Sequence, residues 1–320
     1  MKRYAIMAVF LLALLFIVVI SLSSWCQHKA LFHPIHDVVW RPPCQYDELF
    51  ICAETGKTIV KNGRTRITRD DVKSHNHVHA WHIHNFKGAK TVIFCHGNVG
   101  NISHREYMYD ICQRLKLNLF LFDYRGFGMS SGQPSKQGLR RDSEVAYEYL
   151  SSRVDPHDII VWGESLGGYS ACWMAAHYKC RSLILLATFS SLTDVVDHRI
   201  ESIICKKAVG GIMSCIGDNL ENKKLLKKVS CPIVIIHSTE DTLIPYECAV
   251  KMYNSITTGS KVLIPIKGDH ANPDLREDDI SKILMFCDVA VNKHIDRRAK
   301  EKLTNKIRTF ADEHFLPKNN

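Results

Sequence analysis

Short, almost wholly apolar runs recur along the chain. They are Thr91–Cys95, Leu119–Asp123, Ile159–Trp162, Ser182–Leu186, Pro232–His237 and Lys261–Pro265. Each reads as a strand buried on both faces. Between them, apolar residues return at helical spacing in Glu106–Leu117, Gly138–Ser152, Tyr169–Ala176, Tyr246–Asn254 and Asp279–Val291. This β–α alternation predicts an α/β fold with a mostly parallel central sheet and helices on both faces. Ahead of it, Leu49–Cys52, Thr58–Val60 and Arg64–Thr68 read as short strands broken at Thr55-Gly56 and Asn62-Gly63, the latter a hairpin turn. The stretch from His77 to His84 alternates too. His77, His79, Trp81 and Ile83 share one face, and Val78, Ala80, His82 and His84 the other. Pairs of histidines on one face can hold a metal, but no carboxylate or Cys joins them at suitable spacing. The expectation is a half-exposed strand, with no metal and no cofactor.

The two ends depart from this pattern. Tyr4–Ile20 carries no charge and is long enough to cross a bilayer at about 1.5 Å per residue. Residues 1–25 are therefore expected to form a transmembrane signal-anchor, with cleavage at Ser21-Leu22-Ser23 as the alternative. Lys2 and Arg3 against Lys29 predict a single-pass type II topology: N-terminus cytoplasmic, the bulk of the chain lumenal or extracellular. Residues 26–43 read as a stalk ending in Trp40-Arg-Pro-Pro43, and 44–292 as one large domain. About 191–228 forms an insertion in that domain, rich in Ile among lysines. Residues 293–320 form a basic C-terminal helix or tail, with Ile295, Ala299, Leu303, Ile307 and Phe310 at helical spacing.

Composition changes the picture in two respects. The net charge of +9 is partly concentrated at the C-terminus and not interleaved with aromatics, so no nucleic-acid partner is expected. A solvated basic surface or attraction to an anionic membrane remains. The 12 cysteines show no Cys-x-x-Cys and no zinc-like spacing, and read mostly as free thiols. Cys95, Cys172 and Cys231 suit small buried hydrophobes. Cys205 and Cys215 can pair if the domain faces an oxidising lumen.

The chemistry gathers at Gly163-Glu164-Ser165-Leu166-Gly167-Gly168, between a predicted strand and a predicted helix. Such a turn strains the central Ser and projects its hydroxyl from the sheet, while its flanks must be small. A serine hydroxyl is a weak nucleophile until a base takes its proton and a third group orients that base. Asp241 follows the strand after the insertion, and His270 follows the next strand. Rivals are Asp194 and Glu240 for the acid. His237, His294 and His314 are placed too close to, or beyond, the core strands. Backbone N–H groups of Leu166 and of Asn98, directly after His96-Gly97, are the expected oxyanion donors, each contributing about 3–4 kcal/mol to catalysis. Gly126-Phe-Gly128 invites a dinucleotide reading, but the third fingerprint position is Ser131 and no helix starts there. Asn101-Ile102-Ser103, a glycosylation acceptor on paper, reads instead as a loop and helix start.

Taken together, the chain resembles the serine α/β-hydrolases, and within them the membrane-anchored α/β-hydrolase domain-containing group. The matching motifs are His96–Arg105, Asp123–Ser135, Gly163–Gly168, His237–Asp241 and Gly268–His270, which span most of residues 77–292. The order Ser, Asp, His is also that of these enzymes. The resemblance implies an α/β-hydrolase domain with a short cap insertion, cleaving an ester, thioester or amide. The substrate is expected to be an acyl ester or thioester of lipid-like character. Acyl transfer or peptidase chemistry on the same scaffold, or a catalytically inactive binding module, are the other readings.

Overall fold

The computed structural model describes residues 31–62, 76–199, 219–257, 260–275 and 277–291. Its centre is a nine-stranded sheet of order β11-β10-β9-β8-β5-β7-β4-β2-β3. These strands are β2 (Asp47–Cys52), β3 (Thr58–Asn62), β4 (His77–Ile83), β5 (Thr91–Cys95), β7 (Asn118–Phe122), β8 (Ile159–Glu164), β9 (Ser182–Leu186), β10 (Ile233–Ser238) and β11 (Lys261–Ile266). β5, β7, β8, β9, β10 and β11 run parallel, as their β–α–β connections require; β4, β2 and β3 add antiparallel pairs at one side.

Helices cover both faces. On one lie α2 (Lys136–Ser151), α3 (Gly167–His177), α5 (Asn222–Leu226) and α6 (Tyr246–Ser255), against Phe120, Val161, Leu185 and Ile235. On the other lie α1 (Glu106–Arg114) and α7 (Glu277–Val291), against Val92, Phe94, Trp162 and Ile184. Helix α4 (Leu192–Arg199) opens the insertion. Two buried layers about one sheet explain why the parallel strands carry apolar residues on both faces.

Several expectations change. β4 is buried along its whole length, not half-exposed, because it pairs with both β7 and β2 and lies under both layers. The expected stalk packs onto the domain from residue 31 onward. There Phe32 is buried against Phe127, β1 (His33–Pro34) pairs with β6 (Val99–Gly100), and Trp40 meets Trp81 and Tyr109. Apolar and aromatic side chains at 32 and 40 gain more from burial than from solvation. The hairpin between β2 and β3 turns at Thr55-Gly56, where Gly56 takes φ +69°. Gly63 and the expected strand Arg64–Thr68 lie outside the described residues, as do the anchor 1–25, the central insertion 200–218 with Cys205 and Cys215, and the tail 293–320. Among the described residues, no helix is long and apolar enough to cross a membrane, and the cysteines are free.

Candidate active site

β8 delivers Ser165 at the C-terminal end of the parallel strands, where α3 begins two residues later. Ser165 sits at φ +51°, in the left-handed region an L-residue enters at a cost of about 1–3 kcal/mol. The turn is held from three sides. Its N–H donates to the Leu186 carbonyl at 3.0 Å, and its carbonyl accepts from Thr188 Oγ1 at 2.6 Å and from the Gly168 N–H at 3.0 Å. The glycine at 167 is obligatory, since a Cβ there would lie 2.0 Å from the Cys95 carbonyl oxygen. Close passage of the β5 and α3 backbones thus sets the Gly-x-Ser-x-Gly spacing.

The loops after β10 and β11 bring Asp241 and His270 to the same end of the sheet. His270 Nε2 lies 3.1 Å from Ser165 Oγ, and its Nδ1 lies 2.7 Å from Asp241 Oδ2. The other oxygen of Asp241 accepts the N–H groups of Leu243 and Ile244, both at 2.8 Å. Burial pushes the Asp241 carboxyl up. The His270 hydrogen bond, the Ile244 N–H and the imidazole charges outweigh it and hold the group below the usual carboxylate range. An ionised carboxylate therefore faces one imidazole nitrogen while the other faces a hydroxyl. That arrangement can accept the serine proton and stabilise the resulting cation.

The rival groups are engaged elsewhere. Asp194 takes bonds from Ser190, Ser191, Lys223 and Lys251. Glu240 pairs with Lys267 and the Gly268 N–H. His237 is fully buried, with Nε2 3.5 Å from Asp241 Oδ2 but donating to the Ile244 carbonyl at 2.8 Å. His294 and His314 lie outside the described residues.

Asn98 follows His96-Gly97 beyond β5, and Gly97 passes so close to the elbow that a Cβ there would be 3.6 Å from Ser165 Cβ. Among the described residues, neither the Asn98 nor the Leu166 N–H is spent on a backbone acceptor. This loop rests on a buried network that the sequence motifs contain but do not explain. Asp123, at the end of β7, accepts the Ile102 N–H at 2.9 Å and contacts His79 Nδ1 and His96 Nε2, each at 3.4 Å. His79 reaches on to Glu48 at 3.0 Å, and Glu48 to Arg41 at 2.8 Å. Burial opposes charge on His79 and on Asp123. Their mutual hydrogen bonds, with those of Glu48 and His96, prevail, raising the imidazole and lowering the carboxyl. Asn101 is fully buried, caps the short helical turn 102–104 and donates to the Ile35 and Asp37 carbonyls, so it has no surface for a glycan.

A cavity of about 430 Å³ opens beside His270, lined by Arg105, Tyr107, Trp162, Glu164, Leu186 and Leu275 among others. Tyr107 donates to Glu164, the residue before Ser165. Among the described residues, one cluster of three has metal-ligating atoms in reach of each other: Asp47, His82 and His84. It lies at the opposite end of the sheet, where β4 finishes beside the start of β7.

Comparison with known proteins gives the same scaffold. Residues 90–203 match the family described as alpha/beta hydrolase fold. The uncharacterized protein YfhR of Salmonella typhi is 32% identical over 219 residues, covering 62% of this chain and 72% of its own. The lysophosphatidylserine lipase ABHD12 of Danio rerio is 28% identical over 188 residues, covering 54% of this chain and 49% of its own, about half its length. Among solved structures, the esterase Pf2001 of Pyrococcus furiosus superposes with a TM-score of 0.55 at 17% identity, covering 75% of this chain and 90% of its own. At that identity the likeness is one of fold. Sheet order, elbow and these matches agree, and the chain belongs to the α/β-hydrolase fold family.

Proposed function

We propose that this chain is a serine hydrolase that cleaves acyl ester or thioester bonds through Ser165, His270 and Asp241. The observation that carries the reading is the continuous contact from a strained serine to an imidazole to an ionised carboxylate. Ser165 Oγ attacks the acyl carbonyl carbon as His270 Nε2 takes its proton. The oxyanion that forms is met by the N–H groups of Leu166 and Asn98. Collapse expels the alcohol or thiol, which leaves with the proton from His270, and the acyl group stays on Ser165. Water, deprotonated by His270, then adds to the acyl carbon, and collapse breaks the bond to Ser165 Oγ, which takes the proton back from His270 as the acid leaves. Asp241 keeps Nδ1–H in place and balances the imidazolium throughout.

Support for an acyl substrate comes from the cavity beside His270, where Trp162, Leu186 and Leu275 give apolar wall and Arg105 a cation. The insertion 191–228, with Ile200, Ile203, Ile204, Ile212, Met213 and Ile216, is assigned the entrance for a lipid-like chain. Residues 1–25 are assigned a type II membrane anchor on the uncharged run Tyr4–Ile20, which keeps such a site near lipid. The motifs resemble those of the membrane-anchored group around α/β-hydrolase domain-containing protein 13. The test is a fluorophosphonate probe with the full-length chain, followed by acyl esters and thioesters of graded chain length. Wild type labels and turns over an acyl substrate; Ser165→Ala does neither. Labelling that survives in folded Ser165→Ala overturns the assignment.

A further inference from the structure

A second constellation stands at the far end of the sheet from Ser165. Asp47 of β2 pairs directly across from His82 of β4, and His84 follows two residues on, facing the same side. One donor atom from each of the three lies within 4.8 Å of the others. His84 Nε2 is 3.0 Å from Asp47 Oδ2, and the two imidazole centroids are 4.8 Å apart. All three line a cavity of about 470 Å³.

An ordinary ion pair accounts for Asp47 and His84 but leaves His82 without a reason. His82 is 5% exposed, and its Nε2 is buried with no hydrogen-bond partner among the described residues. A buried polar group left unsatisfied is destabilising, and a ligand would relieve it. The cavity wall also carries Asp155, Asp158, Lys87 and Arg153. Arg153 is turned to its own helix, lying 3.9 Å over the Tyr149 ring and donating to the Tyr149 carbonyl and to Ser152 Oγ.

We propose that Asp47, His82 and His84 bind a divalent transition-metal ion of the zinc class, tying β2 to β4 at the end of the sheet remote from Ser165. Two imidazoles and one carboxylate suit such an ion and leave a fourth position open to the cavity; an ion that prefers all-oxygen ligands, such as magnesium, is a poor match. Metal bonds of about 2.0–2.1 Å place tetrahedral donors roughly 3.4 Å apart, against separations of 4.8 Å or less here. His84 is solvent-exposed and gives the ion its access path. The site is independent of the hydrolytic reading, since none of its residues touches Ser165, Asp241 or His270.

The test titrates zinc into the chelator-stripped full-length chain by calorimetry, with thermal unfolding alongside and cobalt substitution to read coordination. One saturable site, a rise in Tm and a tetrahedral cobalt spectrum are expected. His84→Ala, at an exposed position, and Asp47→Asn, a near-isosteric change at a half-buried one, should fold and still carry the probe at Ser165. Because losing an outer-shell partner alone costs about 10–100-fold in metal affinity, losing a ligand should cost at least that and abolish the Tm rise. No saturable binding in the wild type, or unchanged affinity in both variants, overturns the proposal.

Discussion

Ser165 and Asp241 are held by different forces, and substitutions should separate them. The serine is fixed by backbone: its φ of +51°, the Leu186 carbonyl and Thr188 Oγ1 all act on main-chain atoms. Ser165→Ala should therefore fold normally while losing the nucleophile. Asp241 is fixed by charge and by two N–H donors. Asp241→Asn keeps the shape but presents the wrong partner to His270 Nδ1, and kcat should fall by about 10⁴-fold. Asp194→Asn, which removes the partner of Lys223 and Lys251, should leave kcat nearly unchanged. Equal losses in both variants would transfer the acid role away from Asp241. The same carboxyl gives a pH signature. Its folded pKa is depressed, so its stabilisation is complete above the unfolded value of about 4 and is lost as pH falls through the folded one. The Tm gap between wild type and Asp241→Asn should be widest near neutrality and close below about pH 4; a constant gap down to pH 3 would refute this.

At the scale of elements, the loop after β5 matters most, because it carries Asn98 and owes its shape to β7 and β4. Asp123 is the hinge of that arrangement, joining the Ile102 N–H to His79 and His96. Removing one member of a buried charged network strands the others and costs about 3–5 kcal/mol. Asp123→Asn should thus lower stability by that order and displace Asn98, reducing kcat more than it raises KM. The readouts are chemical unfolding and steady-state kinetics on the acyl ester found by the substrate screen. A variant that loses stability with kcat intact would confine Asp123 to a structural role. The histidines of β4 show the same dependence on neighbours. His79 is held between two carboxylates, whereas His82, three residues on and across the strand, is left with an unpaired nitrogen.

For the whole molecule, the parallel strands place all three candidate groups at one end of the sheet, and β4 and β2 place Asp47, His82 and His84 at the other. The segment from Phe32 to Arg41 packs along the domain beside the loop of Asn98: β1 pairs with β6, and the His33 N–H donates to the Asn98 carbonyl. A proposed anchor at 1–25 would then hold the domain on a short tether, with few residues between bilayer and sheet. Protease added to sealed microsomes should spare residues 44–320 if the topology is type II. Digestion without detergent would invert it.

The periodicity of apolar residues alone determined the α/β alternation, the parallel strands and most helix limits, because each element buries a face that its own spacing displays. Local chemistry likewise determined the elbow, since the tight turn at Ser165 demands small residues at fixed neighbouring positions. The chain order of Ser165, Asp241 and His270 was legible because each leaves a strand of one parallel sheet, and such strands end together. Contacts between elements were not legible. β4 is buried on both faces, and Asp47 stands opposite His82. Each depends on strand order and register, which join residues far apart in the chain. Spacing along one strand could not supply the carboxylate beside His82 and His84; β2, thirty-five positions away at the paired residue, did.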